Sequence, residues 1–398
     1  MTFVQTVPGS HEAPRVARPT ALCTIDHSVI AENIRLLSSK SDAKFMAVVK
    51  ADAFGHGAAE VAATAMETGA AWLGVATVDE ALHLRRSGVT APILAWLVDP
   101  WSDLAGALRT QVTVSCANHD TLEAVIAAAT AAGIRADVHL EIDTGMSRAG
   151  TPAAAWPALC AQAKRAEDDG SVRVTGVWSH LALATDPDWS GVEPAWLAFQ
   201  AGIDVALAAG LTPQERHLAN SAATLAHPRT SFTMVRCGAS VYGIETVDGI
   251  EYGLKYALRA VSHVTQLRRV PAGVGVGYGQ KYVTAKPTTL GLIPVGYADG
   301  VPRSLGGVGE IVLGGTRYPI VGAVSMDQFS VDFGDASVHL GDEVVLLGDA
   351  AVGEPDAAEW ATISGTLPHE ILTGLGGRMR RTHLNQHRLN HQSDQNRH

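Results

Sequence analysis

The chain has 398 residues, enough for two domains that each bury a core. Its 46% hydrophobic and 18% charged residues, with forty glycines, describe a folded globular protein and exclude a disordered one. A formal net charge of −10 argues against nucleic acid or an anionic membrane as partner, and no apolar run nears the ~20 residues of a membrane span.

In chain order, residues 1–18 are polar and proline-rich and read as a flexible arm without the basic-then-apolar pattern of a secretory signal. Cys23, Cys116, Cys160 and Cys237 lie far apart with no CxxC spacing, so neither a disulfide framework nor a metal site is expected. The expected compartment is the cytoplasm. Short apolar runs then follow at 44–49, 72–76, 93–97, 112–116, 136–142, 172–178, 215–219 and 233–236. Between them, residues such as Ala58, Val61, Ala62 and Ala65 recur at helical spacing. Eight β/α units in sequence predict a closed, TIM-like (β/α)8 barrel over 19–252, whose first segment is expected to pair with the C-terminal domain. No GxGxxG follows the first strand, which argues against a dinucleotide fold. Past Tyr252, "TTLGLIPVGYA", "GEIVLGGTRYPIVGAV" and "DEVVLLGD" are strand-like runs between Gly, Pro and Asp turns, which predicts a mostly β domain over 253–384. Residues 385–398 are rich in His, Asn and Gln; they read as a disordered tail in preference to a metal-binding one.

The unusual side chains fall where strands of such a barrel end. Lys50 follows the first run, Arg148 in "DTGMSRAG" the fifth, His180 in "WSH" the sixth, Ser221 in "HLANSAA" the seventh, and Arg236 in "VRCGAS" closes the eighth. Singly, each has an ordinary reading: a strand-end lysine is usually solvated and a lone histidine usually a hydrogen-bonded spacer. Five on one rim point to a site. A desolvated lysine can form a Schiff base with a carbonyl, including that of pyridoxal 5'-phosphate (PLP). Ser221 and the backbone of Gly238 and Ala239 suit a phosphate between the last two strands. The residues alone thus reach a phosphate-bearing cofactor enzyme, with PLP as the candidate.

"AVVKADAFGHG" (47–57) resembles the pattern around the PLP lysine of the alanine racemase family, usually written AVVKANAYGHG. The likeness continues through "DTGMSRAG", "SHLA", "HLANSAA", "MVRCGASVYG", "GVGYGQKYV", "PVGYADGVPRSLGG" and "SMDQFSVDFG", from about Leu22 to Thr382. The resemblance implies a fold-type III PLP enzyme: an α/β barrel followed by a β domain, working as a head-to-tail homodimer on a small amino acid. It makes Lys50 the cofactor anchor and one catalytic base, and Tyr278 the opposite base, contributed in trans by the partner subunit. His180 and Arg236 are implied as the network that tunes Tyr278, and Arg236 also as the residue facing the pyridine nitrogen. Ser221, Gly238 and Ala239 would hold the phosphate, Arg148 and the backbone of Met326 the substrate carboxylate, and Tyr297 would stand at the entrance.

Three positions depart from the family. Phe54 replaces a phosphate-binding tyrosine, and His369 in "LPHEILTG" stands where a second one is usual. Losing one charge-assisted hydrogen bond costs about 1.5 to 3 kcal/mol, so PLP is expected to bind, with His369 as a replacement donor. Glu141 stands seven residues before Arg148, where many members carry a carbamylated lysine. It is expected to orient Arg148 without carbon dioxide, through a water or small ion; the bland reading is an outward strand residue. The expected reaction is interconversion of L- and D-alanine for peptidoglycan. The rivals are a racemase of serine or another small amino acid, a fold-type III decarboxylase, and a non-catalytic PLP-binding homologue. The "DTGMSRAG" turn argues against the decarboxylase, and a full β domain that keeps Tyr278 argues against the non-catalytic homologue.

Overall fold

The computed structural model describes residues 19–386; the expected arm over 1–18 and the tail from 387 onward lie outside the described residues. Strand β1 (Ala21–Asp26) comes first, followed by eight strands that form one parallel sheet: β2 (Lys44–Val48), β3 (Trp72–Thr77), β4 (Ile93–Leu97), β5 (Val112–Cys116), β6 (Ala136–Glu141), β7 (Val172–Trp178), β8 (Glu215–His217) and β9 (Met234–Cys237). The order is β8-β7-β6-β5-β4-β3-β2-β9. Between β8 and β9 the Thr233 N–H donates to Arg216 C=O and the Arg236 N–H to Ala219 C=O, both at 3.0 Å, so the sheet closes on itself. The eight runs read from the sequence are these strands, three of them with the same ends and the rest with ends moved by one or two residues.

Local chemistry explains the elements between them. Several crossover helices start where a polar side chain takes an unpaired N–H. Thr77 and Glu80 form a reciprocal capping box on the helix Val78–Arg86, and Asn118 caps His119–Ala132. That helix ends at Gly133, whose φ of 65° suits the left-handed cap. Strand β5 is buried along its whole length, as expected of a parallel strand covered on both faces.

The second unit is mostly β. Strands β10 (Leu258–His263), β11 (Gln266–Val270), β14 (Thr288–Ile293), β15 (Glu310–Leu313), β16 (Thr316–Val321), β17 (Phe329–Asp332), β18 (Glu343–Leu347) and β19 (Met379–Leu384) join β1 in a nine-stranded sheet, ordered β11-β14-β17-β16-β15-β18-β10-β1-β19. The short β12 (Gly275–Val276) and β13 (Tyr282–Val283) form a separate hairpin. Strand β1 runs antiparallel to β10 and parallel to β19, so the segment that opens the described chain is a strand of the second domain. This domain also holds two helices that the sequence reading passed over, Ala357–Ser364 and Pro368–Gly374. The latter packs on the segment after Lys50: a Cβ on Gly55 would stand 2.7 Å from the Leu372 carbonyl oxygen. Arg381 clamps the contact, donating to Gly55 C=O at 2.6 Å and Leu375 C=O at 2.9 Å. Among the described residues no helix is long and apolar enough to cross a membrane.

Candidate active site

A cavity of about 790 Å³ opens at the C-terminal ends of the barrel strands, and Lys50 stands in its wall. After it, Ala51, Asp52, Ala53 and Phe54 make one left-handed helical turn, with φ between 52° and 55°, and Phe54 is buried. Four L-residues in this region are strained by roughly 1–2 kcal/mol each, so the surroundings must impose the turn. Ala53 N–H donates to Val49 C=O at 2.9 Å, Asp52 accepts from Ala58 N–H at 2.8 Å, and Glu80 accepts from Ala51 N–H at 2.7 Å. Phe54 stacks on Tyr242 with centroids 4.7 Å apart, and the Tyr242 hydroxyl donates to Val48 C=O at 2.9 Å. The turn pins Lys50 at the strand end. Its amine sits 5.8 Å from the centroid of Trp96 and makes no ion pair among the described residues. Burial, then the Arg148 charge, hold its pKa below the ordinary lysine value, against a weaker pull from Glu80.

Arg236, near the C-terminal end of β9, lines the cavity and is 5% exposed. Its Nη1 donates to His217 Nδ1 at 3.1 Å, and its Nη2 to Ser179 C=O at 2.8 Å and His180 Nδ1 at 3.1 Å. Among the described residues no acceptor is spent on Nε. Trp178 lies under the guanidinium, 4.8 Å from Cζ. Burial lowers Arg236 to about 10 while Glu141 pulls it up, so it keeps its charge at neutral pH. Burial and then Arg236 push His180 down to about 3, so it is a neutral ring that accepts at Nδ1 and carries its proton on Nε2. His217 is neutral for the same reasons; its Nε2 proton goes to His139 Nδ1 at 2.9 Å.

Ser221, Gly238, Ala239 and His369 line the same cavity. The Ser221 hydroxyl accepts from Gly238 N–H at 3.1 Å, which leaves its own O–H to donate. That amide, expected to face a phosphate, is therefore already engaged. A Cβ on Gly238 would stand 3.2 Å from Val48 Cβ and from Phe54 Cζ, so only glycine leaves this corner open. His369 enters from the helix Pro368–Gly374, and its Nδ1 is buried without a partner. Burial and then the Lys50 charge keep it below the usual histidine pKa, so a protonated His369 is disfavoured as long as Lys50 is charged. The corner thus offers a hydroxyl, an open glycine and an unpaired imidazole nitrogen.

Glu141 and Arg148 also line the cavity. Glu141 is 5% exposed, which rules out the outward-facing reading. No hydrogen bond links it to Arg148 or Arg236; the attraction acts through space. Burial pushes its pKa up to about 7, with Arg236 and then Arg148 opposing. Arg148 is exposed on a loop shaped by Asp143, which accepts from the N–H of Gly145 at 2.9 Å and of Ser147 at 3.1 Å.

Tyr278, Tyr297 and Met326 do not line this cavity. All three are on the surface of the second domain, Tyr278 at 77% exposure. Tyr278 sits at the tip of the β12–β13 hairpin, where Gly277 and Gly279 both have φ of 71°.

The chain matches two family models end to end: "Alanine racemase, N-terminal domain" over 25–246 and "Alanine racemase, C-terminal domain" over 257–383. The chain belongs to the alanine racemase family. It is accordingly an isomerase. It is 46% identical to the alanine racemase of Salinispora arenicola over 88% of this chain and 95% of that protein. It superposes on the crystal structure of alanine racemase from D-cycloserine-producing Streptomyces lavendulae with a TM-score of 0.90, at 41% identity, covering 93% of this chain and 98% of that one. The Bartonella henselae alanine racemase, solved with covalently bound pyridoxal phosphate, matches with a TM-score of 0.83 at 29% identity over 92% of this chain and 100% of its own. Membership in the racemase family sets aside the decarboxylase and the bare PLP-binding homologue considered above.

Sequence reasoning missed several residues that line the cavity or stand behind Arg236. Trp178 ends an apolar strand run and Trp96 stands one residue before the end of another, so both read as core, although alternation along "ILAWL" sets Trp96 and Leu94 on one face. His139 and His217 lie inside strands, and nothing local marks them as partners of Arg236. Asn220 precedes Ser221 and caps its helix by accepting from Ala223 N–H at 3.0 Å, a role its position in "LANSAA" does signal.

Proposed function

We propose that the protein interconverts L- and D-alanine with pyridoxal 5'-phosphate as cofactor, in the cytoplasm, supplying D-alanine for peptidoglycan. The observation that carries this reading is the division of the residues. One face of the cavity holds an unpaired lysine, while the tyrosine that would serve the other face is exposed on the second domain of the same chain. A second copy completes the site, so the working unit is a homodimer.

The cavity suits the cofactor. The unpartnered His369 nitrogen, the Ser221 hydroxyl and the open corner at Gly238 would hold its phosphate, and the charged Arg236 would face its ring nitrogen as a permanent donor. When bound, the cofactor supplies an aldehyde for amines and an electron-withdrawing ring that acidifies the substrate Cα–H.

The remaining work belongs to the side chains. Arg148 would take the substrate carboxylate as a charged donor, with the Met326 backbone of the second copy beside it. Glu141 would steady Arg148 by its charge. Lys50 exchanges the α-proton on one face; a pKa lowered by burial makes its free amine available nearer neutral pH. Tyr278 of the second copy exchanges it on the opposite face. His180, neutral and accepting at Nδ1 from Arg236, would offer it an Nε2 proton that favours the phenolate. Tyr297 of the second copy would narrow the entrance.

The test uses purified holoenzyme in D2O with L-alanine, following α-proton exchange and D-alanine together. Exchange with inversion is expected. Exchange without inversion would show that one face lacks a working base. Mixed dimers of a Lys50→Ala chain with a Tyr278→Phe chain test the division between copies: one native pocket is expected, and no activity would place both residues in one chain's site.

A further inference from the structure

Behind the exposed Tyr297 and Met326 lies a charged junction with no part in the chemistry above. Asp299 is fully buried. Its carboxylate accepts from Arg378 Nε at 2.9 Å, Arg378 Nη2 at 2.6 Å and Gly296 N–H at 3.0 Å. Arg378 Nη1 reaches on to Asp327 at 2.7 Å. One guanidinium therefore joins the loop of Tyr297, the loop of Met326 and the segment that follows the helix Pro368–Gly374. The backbones interlock as well. Tyr297 N–H donates to Ser325 C=O at 3.1 Å and Ala298 N–H to Met326 C=O at 3.0 Å. A Cβ on Gly300 would stand 2.2 Å from Gly374 C=O, and one on Gly377 2.3 Å from Ala298 C=O. Burial alone would push Asp299 up, but Arg378 and the Gly296 amide outweigh it and hold the carboxyl below its usual range.

The helix tied into this junction is the one that brings His369 into the chain's own cavity. The loops tied into it carry residues that face away from that cavity. We propose that Arg378 is a positioning residue: through Asp299 and Asp327 it holds Tyr297 and Met326 of one chain in register for the substrate pocket of a second chain, and locks them to the helix that carries His369. This rests on the reading that a second copy completes the site. Two pockets are then joined by one rigid junction, and Arg378 acts on the substrate of the other subunit. Removing it leaves a buried carboxylate uncompensated, so both loops shift together.

Mixed dimers of two differently tagged chains, purified as holoenzyme, test this. One chain carries Lys50→Ala, so only the other chain's pocket turns over. Arg378→Met is then placed in either chain. In the Lys50→Ala chain it should raise KM for L-alanine on the order of tenfold while kcat stays within about twofold, the pattern of a displaced binding group. In the Lys50-bearing chain it should leave that KM unchanged and raise the PLP concentration needed for half-loading of that pocket. Arg378→Lys in the first placement should recover part of the effect. Asp327→Asn, at an exposed carboxylate, should move KM the same way without lowering Tm. Equal KM changes in both placements, or none, would overturn the role of Arg378. If the Lys50→Ala with Tyr278→Phe dimer is inactive, the shared-site reading falls and this proposal with it; if that dimer is active, only the role of Arg378 is at stake.

Discussion

Glu141 offers the sharpest quantitative test, because its burial opposes its proposed work. Its carboxyl is moved from 4.5 to about 7, chiefly by burial, despite Arg236 and Arg148. At about 1.4 kcal/mol per pKa unit, ionising it in the folded protein costs roughly 3 kcal/mol more than in the unfolded chain. The sign follows from which state holds the proton. Below pH 4.5 both states are protonated and nothing is lost. Between 4.5 and 7 the folded state binds more protons, so stability falls as pH rises, and above about 7 the loss is complete. Glu141→Gln keeps the shape and removes the charge. The variant should match the wild type near pH 4.5 and exceed it by about 3 kcal/mol at pH 8. With roughly 2.1 cal/mol/K per residue of unfolding entropy, that corresponds to about 4 °C in Tm. Scanning calorimetry of holoenzyme at both pH values measures it. The same variant should raise KM for alanine at pH 8, where the charge that steadies Arg148 is missing. An equal Tm difference at both pH values would refute the burial argument. A KM unchanged at pH 8 would remove Glu141 from the substrate site.

Three further outcomes follow from the turn after Lys50 and the corner it faces. Phe54→Tyr sets a hydroxyl beside Gly238, and titration should show PLP binding unchanged or tighter by up to about a hundredfold, the worth of one added charge-assisted hydrogen bond; a large loss would mean the corner is not the phosphate site. Gly238→Ala drives a methyl to within 3.2 Å of Val48 and Phe54 and fills that corner. PLP affinity should drop at least about tenfold while circular dichroism stays native. Ala51→Gly relieves a residue held at φ 52° and should stabilise the protein by about 0.5 to 1 kcal/mol, after the entropy cost of glycine, as read from Tm.

The barrel was legible because its strands are short apolar runs and its helices obey a different period. Lys50, Arg148, His180, Ser221 and Arg236 could be named because each is a polar residue where an apolar run ends. What stayed hidden depends on contacts distant in sequence. His139 and His217 sit 78 residues apart and meet only when β6 and β8 curve into one barrel. The helix Pro368–Gly374 is too short to show periodicity, so His369 was placed by motif alone. The partners of Arg378 lie 79 and 51 residues away, in loops whose residues suggest turns and nothing more.

The left-handed turn was hidden for another reason, since "ADAF" has no glycine to announce it. Alanine and phenylalanine take that conformation only under compulsion, and the compulsion comes from five separate elements: Glu80, Ala58, Tyr242, Leu372 and Arg381. That accounts for how Lys50 is held. A lysine positioned by an ion pair would be charged, and its pKa raised, by the partner that placed it. Here the backbone does the positioning, and among the described residues no carboxylate lies within pairing distance of the amine. Its pKa is free to fall, as burial makes it do. The strain in the turn and the reactivity of the amine are therefore two sides of one arrangement. A substitution that gave Lys50 a carboxylate partner would hold it just as firmly and make it a poorer base.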